Sequence, residues 1–363
     1  MNYITVGDCC DILDSQRIPV TASDRTKGIY PYYGANGVQD YVDDFLFDDE
    51  LVLVAEDGGH FGSKEHPIAY RVSGKCWVNN HAHVLKPREG VDVDYLCYSL
   101  MFYPVLSLIK GATRQKLNQS DLCKMKIILR PLDEQKRIAA KLACVDLVRE
   151  KLQRQSEKLD TLVKSRFIEI FGDIKSPLFP ISTIGDVCIL KSGTTLPSDV
   201  ESEDGEIPYV KVSDMNLPQN DTYIRTSTRY VSREDMGRTL IKKGSVIFPK
   251  RGAAIATNKK RILIHDTCCD LNIMGVLPQE KLRTTYLYNY FASMDLGSLY
   301  NGSTVPQLNN KDIAPLKIGI PPMELQIQFE EMFKLADKSK LVIRKLLEKQ
   351  ELLRAALMQE YFG

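Results

Sequence analysis

The chain has 363 residues, 44% hydrophobic and 26% charged, with a formal net charge of +1. That length allows two or more packed cores, and the composition fits a globular protein rather than a disordered or fibrous one. Near-neutrality excludes a lone, strongly basic nucleic-acid module, and no apolar run approaches the roughly 18 residues of a membrane span, so a cytoplasmic location with no membrane partner is expected.

The start, "MNYITVGDCCDIL", has no basic stretch followed by an apolar core, so no secretory signal is expected. The nine cysteines include two adjacent pairs, Cys9-Cys10 and Cys268-Cys269, and no C-x-x-C. That pattern predicts reduced thiols rather than a disulfide framework or a zinc site. Up to residue 132 the chain shows β-like runs ("ELVLVAE", "AHVLKP") broken by Gly, Asn and Pro turn signals. From Asp133 to Phe171 there is neither Gly nor Pro. The apolar positions Ile138, Leu142, Val145, Val148, Leu152, Leu159, Leu162 and Ile170 step mainly by three, four or seven, which predicts one long amphipathic helix. Pro131 just ahead of it and Asp133 in its first turn suit a helix start. A second mixed segment follows ("SVIFPK", "RILIHD"). Pro321-Pro322 then precede a second long helix, with Phe329, Phe333, Ala336, Ile343, Leu347 and Leu357 on its apolar side. The domains expected are residues 1–132 and 173–322, and the helices 133–172 and 323–363.

The two halves are copies. From Gly111 to Ile138, set against Gly302 to Phe329, nine of 28 positions are identical: Gly111, Thr113, Leu117, Asn118, Asp121, Lys126, Ile127, Pro131 and Gln135. The offset of 191 persists at Phe171-Gly172 against Phe362-Gly363, and at Tyr95-Leu96 against Tyr286-Leu287. Further back the alignment takes small gaps: "NNHAHVL" against "LNIMGVL", then "ELVLVAEDGG" against "GSVIFPKRGA". "VGDCCDI" and "IGDVCIL" open the two copies. A long helix with one apolar stripe is marginal alone and needs a partner stripe. Each helix can pack on its own domain. Connectivity favours the helices packing antiparallel on each other, with a domain at each end and an approximate two-fold axis. The fold class predicted is α+β: two mixed domains and an antiparallel pair of long coiled-coil helices. Such a shape suits a two-part linear target, such as DNA half-sites roughly 34–36 Å apart; a protein scaffold fits it as well.

At this point the residues resemble the specificity (S) subunits of type I restriction-modification systems. The resemblance rests on the two G-[AS]-T-x3-L-N-x2-D-[LI] loops, each running through K-I and P-[LM]-[DE]-x-Q into a long helix, and on the "VGD" and "IGD" starts. It implies that the mixed segments are target recognition domains, one per half of a bipartite double-stranded DNA site. The helices are then spacers, and each helps dock one of two methyltransferase (M) subunits, which bring in the restriction (R) subunits. The residues agree in what they lack. There is no N-P-P-[YF] tetrapeptide ("IPPM" has Ile320 in place of the Asn), no Gly-rich cofactor loop, no G-x4-G-K-[ST] phosphate loop and no nuclease carboxylate cluster. The chain is therefore expected to be non-catalytic and without cofactors. S-adenosylmethionine, ATP and Mg are expected only in partner subunits.

Base edges are read by Arg, Lys, Asn and Gln, and phosphates by Lys, Arg, Ser, Thr and backbone N–H. "YPYYGANG" offers Tyr32, Tyr33 and Asn36, or an ordinary turn with core tyrosines. "EDGGHFGSK" offers Lys64, though its two acids disfavour phosphate. "WVNNHAHVL" places Asn79, His81 and His83 on one strand face, for base contact or packing; a metal lacks an identifiable third ligand. The two repeated loops offer Thr113, Arg114 and Lys116 in one copy, and Thr304 and Gln307 in the other. In the second domain "PYVKVSDMN" offers Tyr209, Lys211 and Ser213. "FPKRGAAIATNKKR" offers Lys250, Arg251, Asn258 and Lys259, the richest patch, which a solvated basic hairpin also explains. The rival readings are a duplicated coiled-coil scaffold and a stand-alone DNA-binding regulator of the same fold.

Overall fold

The computed structural model of the chain describes residues 2–111, 115–236, 240–299 and 306–363. It packs as two compact units, Met1–Leu152 with Leu346–Gly363, and Gln153–Lys345.

The first unit is built on a six-stranded sheet in the order Cys10–Ile12, Ala82–Pro87, Phe47–Ala55, Ala69–Val78, Lys27–Gly34, Gly37–Val42. Neighbours are antiparallel except where Lys27–Gly34 runs parallel to Ala69–Val78. Leu51, Val52, Leu53, Val54 and Ala55 are all buried. An unbroken apolar run is what a strand covered on both faces needs. Alternate residues feed two cores: Val52 and Val54 join Leu85, Leu96 and Leu117, while Leu51 and Leu53 join Val72, Val78 and Val84. The helix Val93–Met101 is capped by Asp92, whose carboxylate accepts from Tyr95 N at 2.9 Å.

The second unit holds a five-stranded sheet, in the order Cys188–Ser192, Ile273–Pro278, Val246–Pro249, Arg261–Leu263, Tyr223–Ile224. A four-stranded sheet joins it, ordered Tyr230–Val231, Ile207–Val210, Thr267–Cys269, Leu240–Ile241. The helix Thr284–Ala292 corresponds to Val93–Met101.

The two long helices span Leu132–Phe171 and Met323–Phe362, 40 residues each. In each unit their segments pack antiparallel, as the apolar stripes predict. In the first unit Asp146 meets Arg354 at 2.8 Å and Arg149 meets Glu351 at 2.5 Å, so three residues forward on one helix is three back on the other. Ile138, Ala139 and Leu142 are buried there with Tyr361. In the second unit Asp160 pairs with Lys340 at 2.7 Å, and Phe171 stacks edge-on against Phe329 at 5.4 Å. Phe167, Phe171, Tyr286 and Phe329 form one aromatic cluster of that core.

The repeat is a repeat of contacts. Leu117 and Leu308 are fully buried. Tyr95 donates its hydroxyl to Ile128 O at 2.8 Å, and Tyr286 donates to Gly319 O at 2.9 Å. Asn309 and Asp312 make a reciprocal cap on the short helix Asn310–Ile313. Strand registers carry the offset of 191 further back than expected: Cys10 pairs with Pro87, and Cys188 with Pro278. Val54 faces His83 and Phe248 faces Met274. His83 therefore corresponds to Met274 rather than Gly275, and the gap expected at "NNHAHVL" is not there.

Among the described residues no helix is long and apolar enough to cross a membrane. All nine cysteines are free.

Candidate nucleic-acid interface

Each unit has a corner where its central strand ends. In the first unit the strand Phe47–Ala55 runs on into Glu56 and Asp57, then Gly58 at φ 67°. Leu117 N donates to Glu56 O at 2.8 Å, and Asp57 bridges to Lys116 across the ladder. In the second unit Val246–Pro249 runs on into Lys250 and Arg251, then Gly252 at φ 64°. Leu308 N donates to Lys250 O at 2.8 Å, and Arg251 bridges to Gln307. The positive φ explains the glycine in both copies, since a Cβ is strained there. One backbone frame thus carries Glu56, Asp57 and Lys116 in one copy and Lys250, Arg251 and Gln307 in the other.

The first corner pairs its acids with cations of its own unit. Glu56 takes Arg17 at 2.6 Å and Lys116 at 2.7 Å. Burial pushes its carboxyl up, and the hydrogen bonds from Lys116 and Arg17 outweigh that and hold it below the ordinary range. His83, 1% exposed, lies between Asp14 Oδ2 (2.5 Å from Nδ1) and Leu117 O (2.8 Å from Nε2). Asp57 lies 2.7 Å from His81 Nδ1. Asp14, Glu56 and His83 are the group of described residues with metal-ligand spacing. The Arg17 guanidinium and the Lys116 ammonium already pair with the Glu56 carboxylate of this cluster.

At the second corner no ion pair to Lys250 or Arg251 is found among the described residues. Lys250 is buried and donates to Ser192 Oγ at 2.8 Å. Burial, then the charge of Arg251, holds its ammonium below the ordinary lysine range. Arg251 is exposed. Gln307 donates to Asn309 Oδ1 at 2.8 Å. Nearby, Asn258 adopts a left-handed conformation, and its Oδ1 accepts from Lys260 Nζ at 2.6 Å and Leu296 N at 3.0 Å. Lys260 is buried, which pushes its ammonium down to about 8. Lys259 bonds Asn216.

The structure brings Asn36, His81 and Lys116 to the first corner; Asn36 donates to Gly58 O at 3.0 Å. It brings Lys250, Arg251 and Gln307 to the second. Lys64 and Ser213 are exposed, and Tyr33 is half-buried against Tyr70. Lys211 is spent on Glu201, 2.8 Å from its ammonium. Four expected readers are instead buried in the scaffold. Tyr32 bonds Val20, Tyr209 bonds Leu196 and Thr194, Asn79 bonds Gln39 and His81, and His83 bonds Asp14 and Leu117. Their hydrogen-bonding groups are used internally, so they offer no free edge to a base. Thr113, Arg114 and Thr304 lie outside the described residues. Arg17 and Ser192 were not expected at the corners. No local motif marks them, because they arrive from strands and turns distant in sequence.

A duplicated domain of mixed sheet, each copy feeding a long helix and carrying a polar strand-end corner, defines a protein of two related halves. The chain belongs to the type I restriction modification DNA specificity family, whose domain model matches residues 1–159 and 179–352. It is 26% identical over 335 residues to a putative type I restriction enzyme specificity subunit of Haemophilus influenzae, covering 88% of this chain and 83% of that one. Its fold is similar to the S subunit of a type I restriction-modification system from M. genitalium, with a TM-score of 0.68 at 17% identity, covering 100% of this chain and 96% of that one. It is also similar to a chain from a structure addressing complex assembly and conformational transition of the type I restriction-modification system, with a TM-score of 0.57 at 16% identity, covering 99% and 97%.

Proposed function

We propose that this specificity subunit reads a bipartite double-stranded DNA target without catalysing a reaction. Residues 1–132 read one half-site and residues 173–322 the other. The helices at 133–172 and 323–363 set the spacing and dock two methyltransferase subunits, through which restriction subunits join. S-adenosylmethionine, ATP and Mg belong to those partners, and the assembly works in the cytoplasm. The observation that carries this reading is the pair of corners. The frame is held constant by Leu117 and Leu308 and by Gly58 and Gly252, while the side chains on it change from Glu56, Asp57 and Lys116 to Lys250, Arg251 and Gln307. Readers of two different sequences need a shared scaffold with exchanged polar groups. A pure scaffold protein has no use for that exchange.

The test is to map methylated sites in a host with and without the gene, then with the second domain exchanged for that of another specificity subunit. Loss of a two-part methylated motif, and replacement of only one of its halves in the exchange, is expected. Co-purification without any methyltransferase, and an unchanged methylation map, would refute the reading.

A further inference from the structure

Resting on that reading, we propose that the corner formed by Lys250, Arg251 and Ser192 is a seat for one phosphodiester of the DNA backbone, and that the corresponding Glu56-Asp57 corner seats none. The second domain then grips the backbone at a place where the first domain does not.

Both corners have the same backbone, so the difference is in charge. In the first, Glu56 meets Arg17 and Lys116, and Asp57 meets His81. Asp14, Glu56 and Asp57 put three carboxylates beside the two cations Arg17 and Lys116, so this corner offers no positive field to an external anion. In the second, two adjacent cations face no carboxylate within ion-pair distance among the described residues. Lys250 is 8% exposed, and its ammonium, with three protons to donate, gives one to Ser192 Oγ. A buried ammonium with no counter-charge is costly, and the like charge of Arg251 beside it adds to the cost. An anion shared between them removes both penalties. The corner is also open: a Cβ built on Gly252 would meet no atom of the described residues within 4 Å. The chemistry suits a phosphate. Lysine binds it as a point charge, arginine through its fork of donors, and Ser192 adds a hydroxyl. The depressed ammonium of Lys250 fits a group awaiting such a partner. A phosphodiester in a duplex and free inorganic phosphate share this chemistry, so the test separates them.

The full chain, assembled with its methyltransferase subunits, is titrated with a labelled duplex over a range of salt. R251Q and the pair K250Q/R251Q should weaken binding to all sequences alike. Losing one phosphate contact should lower the slope of log K against log salt by about 0.9. R251Q alters an exposed side chain and keeps the test valid if the double variant misfolds. In parallel, amine acylation of Lys250 is followed by peptide mapping with no anion, with duplex DNA, and with inorganic phosphate at matched ionic strength. Protection by duplex beyond that given by phosphate is the expected result. Wild-type slope and affinity in R251Q, or no protection of Lys250 by duplex, overturns the seat, and protection by phosphate alone makes it a free-anion site instead. Failure of the functional reading looks different: the wild-type assembly would show no preference among duplex sequences, while nonspecific duplex would still protect Lys250.

Discussion

Gln135 and Gln326 make the same three hydrogen bonds, each at the start of a long helix. Gln135 accepts from Asp92 N at 2.8 Å and donates to Gly90 O and Arg130 O at 2.9 and 2.8 Å. Gln326 accepts from Arg283 N at 2.7 Å and donates to Lys281 O and Pro321 O at 3.0 and 2.9 Å. Both side chains are completely buried. Each amide ties a long helix to the segment that opens the shorter helix of its domain, through backbone groups for which no other hydrogen bond is found among the described residues. Gln135→Ala strands three such groups, and leaving buried polar groups unmet costs about 1–3 kcal/mol each. Equilibrium unfolding in urea should show a loss of at least about 2 kcal/mol for this variant and for Gln326→Ala. A loss under about 0.5 kcal/mol would mean that the tie is dispensable.

The aromatic cluster of the second unit gives a larger effect. Phe171 lies 4.8 Å from the Tyr286 ring and 5.4 Å from the Phe329 ring. Phe171→Ala leaves a cavity among rings that cannot collapse into it, and large-to-small changes of this kind cost about 3–5 kcal/mol. Phe171→Leu should recover more than half of that in the same denaturation measurement.

Spacing of the half-sites is proposed to depend on helix length. Deleting Arg154–Glu157 removes about 6 Å at 1.5 Å per residue. Methylation mapping should then show a changed separation between half-sites, or no methylation if assembly fails, with the bases of both halves retained. Altered half-site bases at the old separation would contradict the division of labour between domains and helices.

Thiol chemistry should be confined to one position. Cys144 is the exposed cysteine, Cys123 is half-buried, and the other seven are buried. Burial pushes Cys76, Cys97 and Cys188 up to about 12, so at pH 8 they hold almost no thiolate, the reactive form. Alkylation followed by intact-mass measurement should give one fast adduct, lost in Cys144→Ser. Several fast adducts would show that the buried thiols are reached.

Lys260 sets a pH dependence with a definite sign. Burial holds its ammonium at about 8 in the folded chain, against roughly 10.4 when unfolded. Between those values the unfolded chain binds more protons, so this lysine's contribution to stability rises as pH increases. Comparing wild type with Lys260→Met cancels the other titrating groups. The wild type should gain on the order of 1–2 kcal/mol over the variant between pH 7.5 and 9.5. An unchanged difference across that range would show that Lys260 is solvated.

Much of the fold was legible because its signals are local or duplicated. A 3.6-residue apolar rhythm marks each helix, and identities such as Leu117, Asn118 and Gln135 recur at a fixed offset because the contacts they make recur. The corners were only half legible. Pairing "ELVLVAEDGG" with "GSVIFPKRGA" already aligns Glu56 with Lys250, but what decides their difference comes from far away. Arg17 lies 39 residues from the Glu56 it neutralises, and Ser192 lies 58 residues from Lys250. Tyr32 and Tyr209 looked like readers for their aromatic rings beside polar turns. Composition does not tell a ring offered to a base from one that closes a core, and here both hydroxyls bond backbone groups of their own unit.

The first unit is discontinuous, closed by residues 346–363. On the ribosome, Ile138 and Leu142 emerge roughly 220 residues, and Tyr95 roughly 270 residues, before Tyr361, with which they are buried. At about 5–20 residues per second, that apolar face stays uncovered for about 10–40 s of synthesis, while the second unit is still being made. The nascent chain must therefore carry a sticky, half-built surface through most of its translation. Supply of this subunit in the cell then depends on whether chaperones shield that surface until the last turns of the second helix arrive to cover it.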